Sequence, residues 1–491
     1  MKKKYIIFSL VTLVLLVALI TSFNYFKTTN TYIDDSVNNQ TKITKGISMN
    51  LEQTAGAGDY KTVTQSGWPT EGYKFNTELS RCENGGEINW DDINKKVIVT
   101  GNVSDKCYVY FDIIPPITLA EYVISQYTGT QGDNALYYHT STLTNGAGDN
   151  SYRYAGGDYV LTDAGKATGA TMMIGYDNTV TTALIDFYCN GTKQNVGLGC
   201  SPSQTHYYLI KGDTTQYQTY NEALNASVEK GYLTKDNVKN FVCFGSDATT
   251  CPTENLYRII GVFNNQVKLI KWDYAKSSLL GTDGDFSEED SYYWSGEQGE
   301  SPSSNSLYYW NNVTSTNTWS ESNLNKINLN TNFVNNIGTI WSNKIATTTW
   351  KVGGGSYTNI VTSVPKTAYQ YEVGSNASST TYESKIGLKY VTDYEFAANP
   401  NSWTLVGYNS SDATKDYRFS KGENWLYGGG WDWTISRSSD NSNDAFRVYD
   451  YGRVSNLYVS NYFGARPSFS LLSSTSYVSG SGSMSDPIII E

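Results

Sequence analysis

The sequence offers little for acid–base or metal chemistry. Its 491 residues include two histidines, His139 and His206. Both stand in tyrosine-rich polar contexts with no nucleophile motif beside them, so each reads as a surface or packing histidine. No GxSxG, HExxH, phosphate-loop or dinucleotide fingerprint occurs. Charge is scarce as well: charged residues make up 17%, Lys and Arg total 36, and the net charge is −11. Phosphate backbones call for a basic surface, so nucleic acid is not an expected partner. There is no CxxC pair, which argues against zinc. These absences point away from an enzyme.

Long apolar runs are missing too, with one exception. Lys2, Lys3 and Lys4 precede the uncharged stretch 5–23, long enough to span a bilayer at a rise of about 1.5 Å per residue. Basic residues on the short side, 1–4, place that end in the cytoplasm. A cleaved signal peptide is the alternative, but its apolar region would be shorter and followed by a small-x-small site. The expectation is a transmembrane helix at 5–23, a single-pass plasma-membrane protein, and an extracellular body.

What is present suits such a body. Tyrosine numbers 41, and Asn, Ser, Thr and Gly are abundant, a palette of β-rich surfaces. The six cysteines fall into sequence-adjacent pairs, Cys82/Cys107, Cys189/Cys200 and Cys243/Cys251. An even count in an exported chain argues for disulfides, although six cysteines allow fifteen pairings. The fold class expected is α+β, a β-rich multidomain chain with small disulfide-stapled β modules.

In order, 24–65 reads as a juxtamembrane spacer and 66–115 as a small β module with strands at 95–100 and 107–112. A Tyr/Gly/Asn-rich middle region follows, 116–250. Within it, Thr118/Glu121 and Thr219/Glu222 are capping boxes that open short helices. The stretch 129–157 reads as loop. The clearest hairpin pairs 256–263 with 266–272 across Asn264-Asn265, residues that tolerate the left-handed turn. Helices are expected at 322–327 and 332–343. In the second, Phe333, Ile337, Ile340 and Trp341 share one apolar face. A strand at 386–391 and a capping box at Thr392 to Glu395 come next.

The stretch 424–470 organises the C-terminal part. Trp425, Trp431 and Trp433 stand close together, and Trp431 and Trp433 lie two apart, on one face of a strand. Strands follow at 445–450 and 453–460, and a last one begins at Ser468. WDWT, a Ser/Asn-rich stretch, and then GARPSFSL resemble the C-terminal core of the C-type-lectin-like fold. The form is that of the formylglycine-generating-enzyme (sulfatase-modifying factor) superfamily, and more closely that of bacterial cell-surface repeats built on this fold. The resemblance covers 387–472 and extends more weakly back to Leu256. It implies a C-type-lectin-like domain over 251–480, with 481–491 as a tail, and a core containing Trp425, Trp431, Trp433 and Arg466. It implies a non-catalytic version, because those enzymes use cysteines in the catalytic domain and none stands in the resembling region here.

Binding is the function this composition favours. Arg437, Arg447, Tyr449, Tyr451, Arg453, Tyr458 and Tyr462 are interleaved with Asn and Ser. Such residues make adaptable contacts: large rigid rings at low entropy cost, plus hydrogen bonds. Alternation sets Arg447 and Tyr449 on one face, opposite Phe446 and Val448. The ligand expected is a glycan or a cell-surface protein, in an adhesion role. A structural envelope scaffold without a specific ligand is the alternative. No cofactor is expected except Ca²⁺, for which Asp283, Asp285, Glu288, Glu289 and Asp290 supply hard oxygens without the full EF-hand pattern.

Overall fold

A computed structural model describes residues 46–64, 67–69, 72–100, 105–175, 181–194, 203–235, 237–288, 306–378, 380–407, 423–428, 431–449 and 452–491. The chain divides into two compact units, Met1–Pro116 and Ile117–Glu491. Among the described residues no helix is long and apolar enough to cross a membrane. That corrects the expected fold class and localisation, which rested on a transmembrane helix. The segment 5–23 itself lies outside the described residues.

The first unit is built on a mixed sheet ordered Tyr60–Val63, Ile47–Glu52, Cys107–Ile113, Tyr73–Phe75. Ile47–Glu52 runs parallel to Cys107–Ile113, with Met49 opposite Val109. The sheet therefore takes in residues expected to be spacer. Alternation brings Met49 and Leu51 into one small core with Phe75, Val97, Val109 and Phe111. Cys82 pairs with Cys107 across the sheet, and the two form a disulfide. Asp105 lies beside them and accepts the N–H groups of Asn84 and Gly86, at 2.8 and 3.0 Å.

The second unit centres on the expected hairpin. Leu256–Phe263 and Gln266–Lys271 pair antiparallel, and Asn264 and Asn265 take φ of 49° and 61° in the turn. The strand Ser468–Ser470 closes against Gln266–Lys271. On the other side Tyr152–Tyr154 pairs with Leu256–Phe263, and Leu136–Tyr138 extends the sheet. The stretch 129–157 thus contributes two strands and is not all loop. At the bulge between Ile259 and Gly261, a Cβ on Gly261 would sit 2.2 Å from the Tyr152 carbonyl oxygen, so only glycine lets these strands meet.

A second sheet, within the middle region, joins Met172–Ile174, Ala183–Cys189, Thr192–Gln194 and His206–Ile210. Its core takes Tyr220, Ala223 and Leu224 from the helix Tyr220–Glu229. The capping boxes at Thr118/Glu121 and Thr219/Glu222 are both formed. Cys243–Cys251 is a disulfide. Cys189 is disulfide-bonded, and Cys200 lies outside the described residues.

The largest buried side chains include Trp310, Trp319, Trp350, Trp403 and Trp433. The expected helix at 332–343 is interrupted. A π-helix, Leu324–Phe333, runs into two short turns, Val334–Asn336 and Thr339–Ser342, broken at Gly338 with φ of 81°. The break rotates the last turn, so Phe333 and Trp341 are buried while Ile340 is 67% exposed. The helix Val391–Phe396 starts two residues earlier than its expected capping box. Asp393 accepts the Tyr390 N–H at 2.9 Å.

Candidate functional site

A three-stranded antiparallel ribbon presents the candidate site. Asp432–Arg437 pairs with Asp444–Val448, which pairs with Val454–Tyr458. Ala445, Phe446 and Val448 are fully buried, so the ribbon packs along its length. At one end Trp431, Tyr449 and Arg453 are each half-buried. The Tyr449 and Trp431 rings stack at 4.5 Å. Arg453 lies over the Tyr449 ring, 4.2 Å from its centroid. Arg447 sits among Trp431, Tyr449 and Phe463, at 4.7, 4.5 and 4.5 Å from their centroids. Two guanidinium groups and two stacked rings therefore form one cationic aromatic layer, each cation facing a π-cloud.

The structure brings only some of the expected binding residues together. Arg447, Tyr449 and Arg453 meet in the layer. Tyr462 is half-buried, and its ring meets Tyr309 edge-on at 5.5 Å. Tyr458 ends the third strand and is 55% exposed. Arg437 lies at the far end of the first strand, where its Nε donates to the Gly353 carbonyl at 2.8 Å. Tyr451 lies outside the described residues.

Two features depart from the expected face. Arg447 is only 5% exposed, because rings cover it from Trp431 and Phe463. Trp431 is half-exposed while Trp433 is fully buried. Trp431 precedes the strand Asp432–Arg437, so the period of two that buries Trp433 does not govern it. Sequence reasoning placed Trp431 in the core and overlooked Tyr309. Tyr309 joins the layer's edge through a strand pair, Leu307–Tyr309 with Tyr462–Phe463, that is distant in sequence. Trp425 and Arg466 are buried as expected.

The acidic candidates for Ca²⁺ are otherwise engaged. Asp285 is buried, and its carboxylate accepts N–H groups of Asn312, Asn323 and Leu324 at 3.1, 2.8 and 2.9 Å. It caps the start of the π-helix Leu324–Phe333. Asp283 accepts from Asn332 Nδ2 at 2.6 Å. Glu288 is exposed, and Glu289 and Asp290 lie outside the described residues. Among the described residues one trio has metal-ligand spacing, Cys82, Asp105 and Cys107, and its sulfurs are joined in a disulfide. These donors do not fit a resident cation.

His139 is buried in an apolar pocket. Its Nδ1 accepts the Ala147 N–H at 3.0 Å, and Phe396 and Trp403 pack on its ring. Burial holds it neutral, well below its ordinary pKa, and the nearby Arg153 charge acts the same way.

No family model, no curated protein and no solved structure matches this chain.

Proposed function

We propose that this chain is a non-catalytic ligand-binding protein whose C-terminal part, resembling the C-type-lectin-like fold, uses the Trp431–Tyr449–Arg453 layer as its contact face. One observation carries this reading: two half-buried rings stacked at 4.5 Å, with a guanidinium 4.2 Å above one of them. Stacked rings keep their shape, so little conformational entropy is lost when a ligand settles on them. The exposed parts of the two rings offer apolar contact to a sugar ring or a protein side chain. Arg453 adds a donor for acidic or hydroxyl groups. The disulfides agree with maturation in an oxidising compartment, where such ligands are met.

The test is binding of the purified chain to an array of glycans and proteins, with Tyr449→Ala and Tyr458→Ala beside it. Selective binding that Tyr449→Ala abolishes, in a protein still folded, supports the reading. No selective binding by the folded chain points instead to a scaffold without a specific ligand.

A further inference from the structure

We propose that Lys389 and Asp432 condense into an intramolecular amide, cross-linking the segment before the helix Val391–Phe396 to the first strand of the ribbon.

Both side chains are 1% exposed, and the Lys389 ammonium touches Asp432 Oδ2. Their backbones are pinned beside one another: the Ile435 N–H donates to the Lys389 carbonyl at 3.0 Å. Arg466 adds a second cation 3.7 Å from Oδ2, yet the pair is incompletely satisfied. Asp432 Oδ1 is buried, with no hydrogen-bond partner among the described residues. Among the described residues Lys389 Nζ, with three N–H groups, donates to Oδ2 alone. Two charges taken out of water, with lone pairs and N–H groups left over, are costly. A neutral amide removes both charges at once. The fixed approach of Nζ to the carboxyl supplies the effective concentration that the reaction lacks in water.

The atoms balance without any other reactant. The Nζ lone pair attacks Asp432 Cγ and a C–N bond forms. Of the two protons the ammonium gives up, one passes to Oδ1 before the attack and the other as the C–Oδ1 bond breaks, so that oxygen leaves as water and nitrogen keeps its third proton as the amide N–H. Arg466 stands 3.7 Å from Oδ2, placed to stabilise the oxyanion that develops there. Burial also pulls Lys389 down to about 8, against the opposing effect of the Asp432 charge, so a neutral amine is accessible in the folded chain.

The neighbouring pair does not share these features. Lys268 Nζ meets Asp393 Oδ2 at 2.5 Å, but that same oxygen also accepts the Tyr390 N–H, and Arg153 lies 3.8 Å from Oδ1. An arginine approaches each carboxylate, but Asp432 has an orphaned buried oxygen among the described residues and Asp393 has none.

The experiment is mass spectrometry on the full chain, folded and held near the Lys389 value of about 8, then reduced and unfolded. The expected mass is one water below that of the sequence. Trypsin should fail to cut after Lys389, and a branched peptide should join Lys389 to Asp432. The Lys389→Arg variant should lack the branched peptide. Separate, unmodified Lys389 and Asp432 peptides from the folded wild-type chain would overturn the proposal. So would a branch at Lys268 and Asp393 in its place.

Discussion

Arg453 lies over the Tyr449 ring, 4.2 Å from its centroid, and Trp431 stacks on the same ring at 4.5 Å. Tyr449 thus links a surface cation to a half-buried indole. Its replacement by alanine should cost both stability and binding. The lost ring pair alone is worth about 0.5–1.5 kcal/mol, and lost burial adds to it. Tyr458→Ala, at a position 55% exposed, should change stability by no more than about 0.5 kcal/mol. Chemical denaturation of both variants separates the two effects. Equal stability losses would show that Tyr449 does not hold the layer together.

Glu395 is completely buried, and among the described residues neither of its carboxyl oxygens has a hydrogen-bond partner. Burial pushes it well above its ordinary value, and the Glu372 charge adds to this. Glu372 is also raised by burial, although Ser436, Thr392 and the Val391 N–H bind it. Glu423 is pushed up by burial to about 7. Each folded-state value exceeds the unfolded one, so the folded chain holds protons that the unfolded chain releases. Stability should therefore fall as pH rises from about 4.3, the ordinary Glu value, by about 1.4 kcal/mol per pH unit for each group still protonated in the fold. The Glu423 part of this slope ends near 7. Urea midpoints measured across this range should decline, and Glu395→Gln should flatten the decline. A midpoint that rises between pH 5 and pH 7 in the wild-type chain would contradict the assignment.

Much of the scaffold was legible because local chemistry decided it. Asn264-Asn265 fixed a hairpin turn, and Thr118/Glu121 and Thr219/Glu222 fixed helix starts, each within a few residues of sequence. Sequence-adjacent cysteines gave Cys82–Cys107 and Cys243–Cys251. What stayed hidden depended on distant partners. Ile47–Glu52 reads as polar spacer until Cys107–Ile113 lies beside it. Leu136–Tyr138 and Tyr152–Tyr154 sit in a Gly/Asn-rich run, and only the hairpin's free edge makes them strands. The buried charges Arg153, Lys268, Glu372, Lys389 and Glu395 look like surface residues in sequence, because such side chains are seldom buried unless paired. The site was half legible for the same reason. Alternation found Arg447 and Tyr449, but the rings that bury Arg447 come from Trp431 and Phe463.

Arg258 is wholly buried and holds Asp158 with two bonds of 2.7 Å, while its Nε donates to Asn240 Oδ1 at 2.6 Å. It also lies over the rings of Phe241 and Trp425, 4.2 and 4.7 Å from their centroids. A lysine cannot reproduce the forked geometry or the stacking. Arg258→Lys should lower the thermal midpoint clearly. Removing one partner of a buried pair costs about 3–5 kcal/mol, and the figure here belongs at or below the low end because Asp158 is 35% exposed. Calorimetry of Arg258→Lys and Asp158→Asn decides the point. A cost under about 0.5 kcal/mol for both, as for ordinary surface changes, would show that the pair adds nothing.

The two described disulfides should differ in weight, and the loop each closes says by how much. Cys82–Cys107 spans a sequence separation of 25, and Cys243–Cys251 one of 8. Closing the longer loop removes more freedom from the unfolded chain, giving about 3.5 kcal/mol against about 2.5 kcal/mol on the chain-entropy estimate. The contrast in consequence should be larger than in energy. Among the described residues the apolar cluster of the first unit is small, Met49, Leu51, Phe75, Val97, Val109 and Phe111, so a staple is a large share of its stability. The core around Cys243 is far more extensive. Replacing Cys82 and Cys107 together by serine should therefore unfold the first unit in a separate early transition. Replacing Cys243 and Cys251 should shift the main transition only modestly. Hydrogen exchange distinguishes the two outcomes, since Val109 and Phe111 amides should lose protection in the first variant alone. Retained protection there would show that the sheet, not the disulfide, holds the unit.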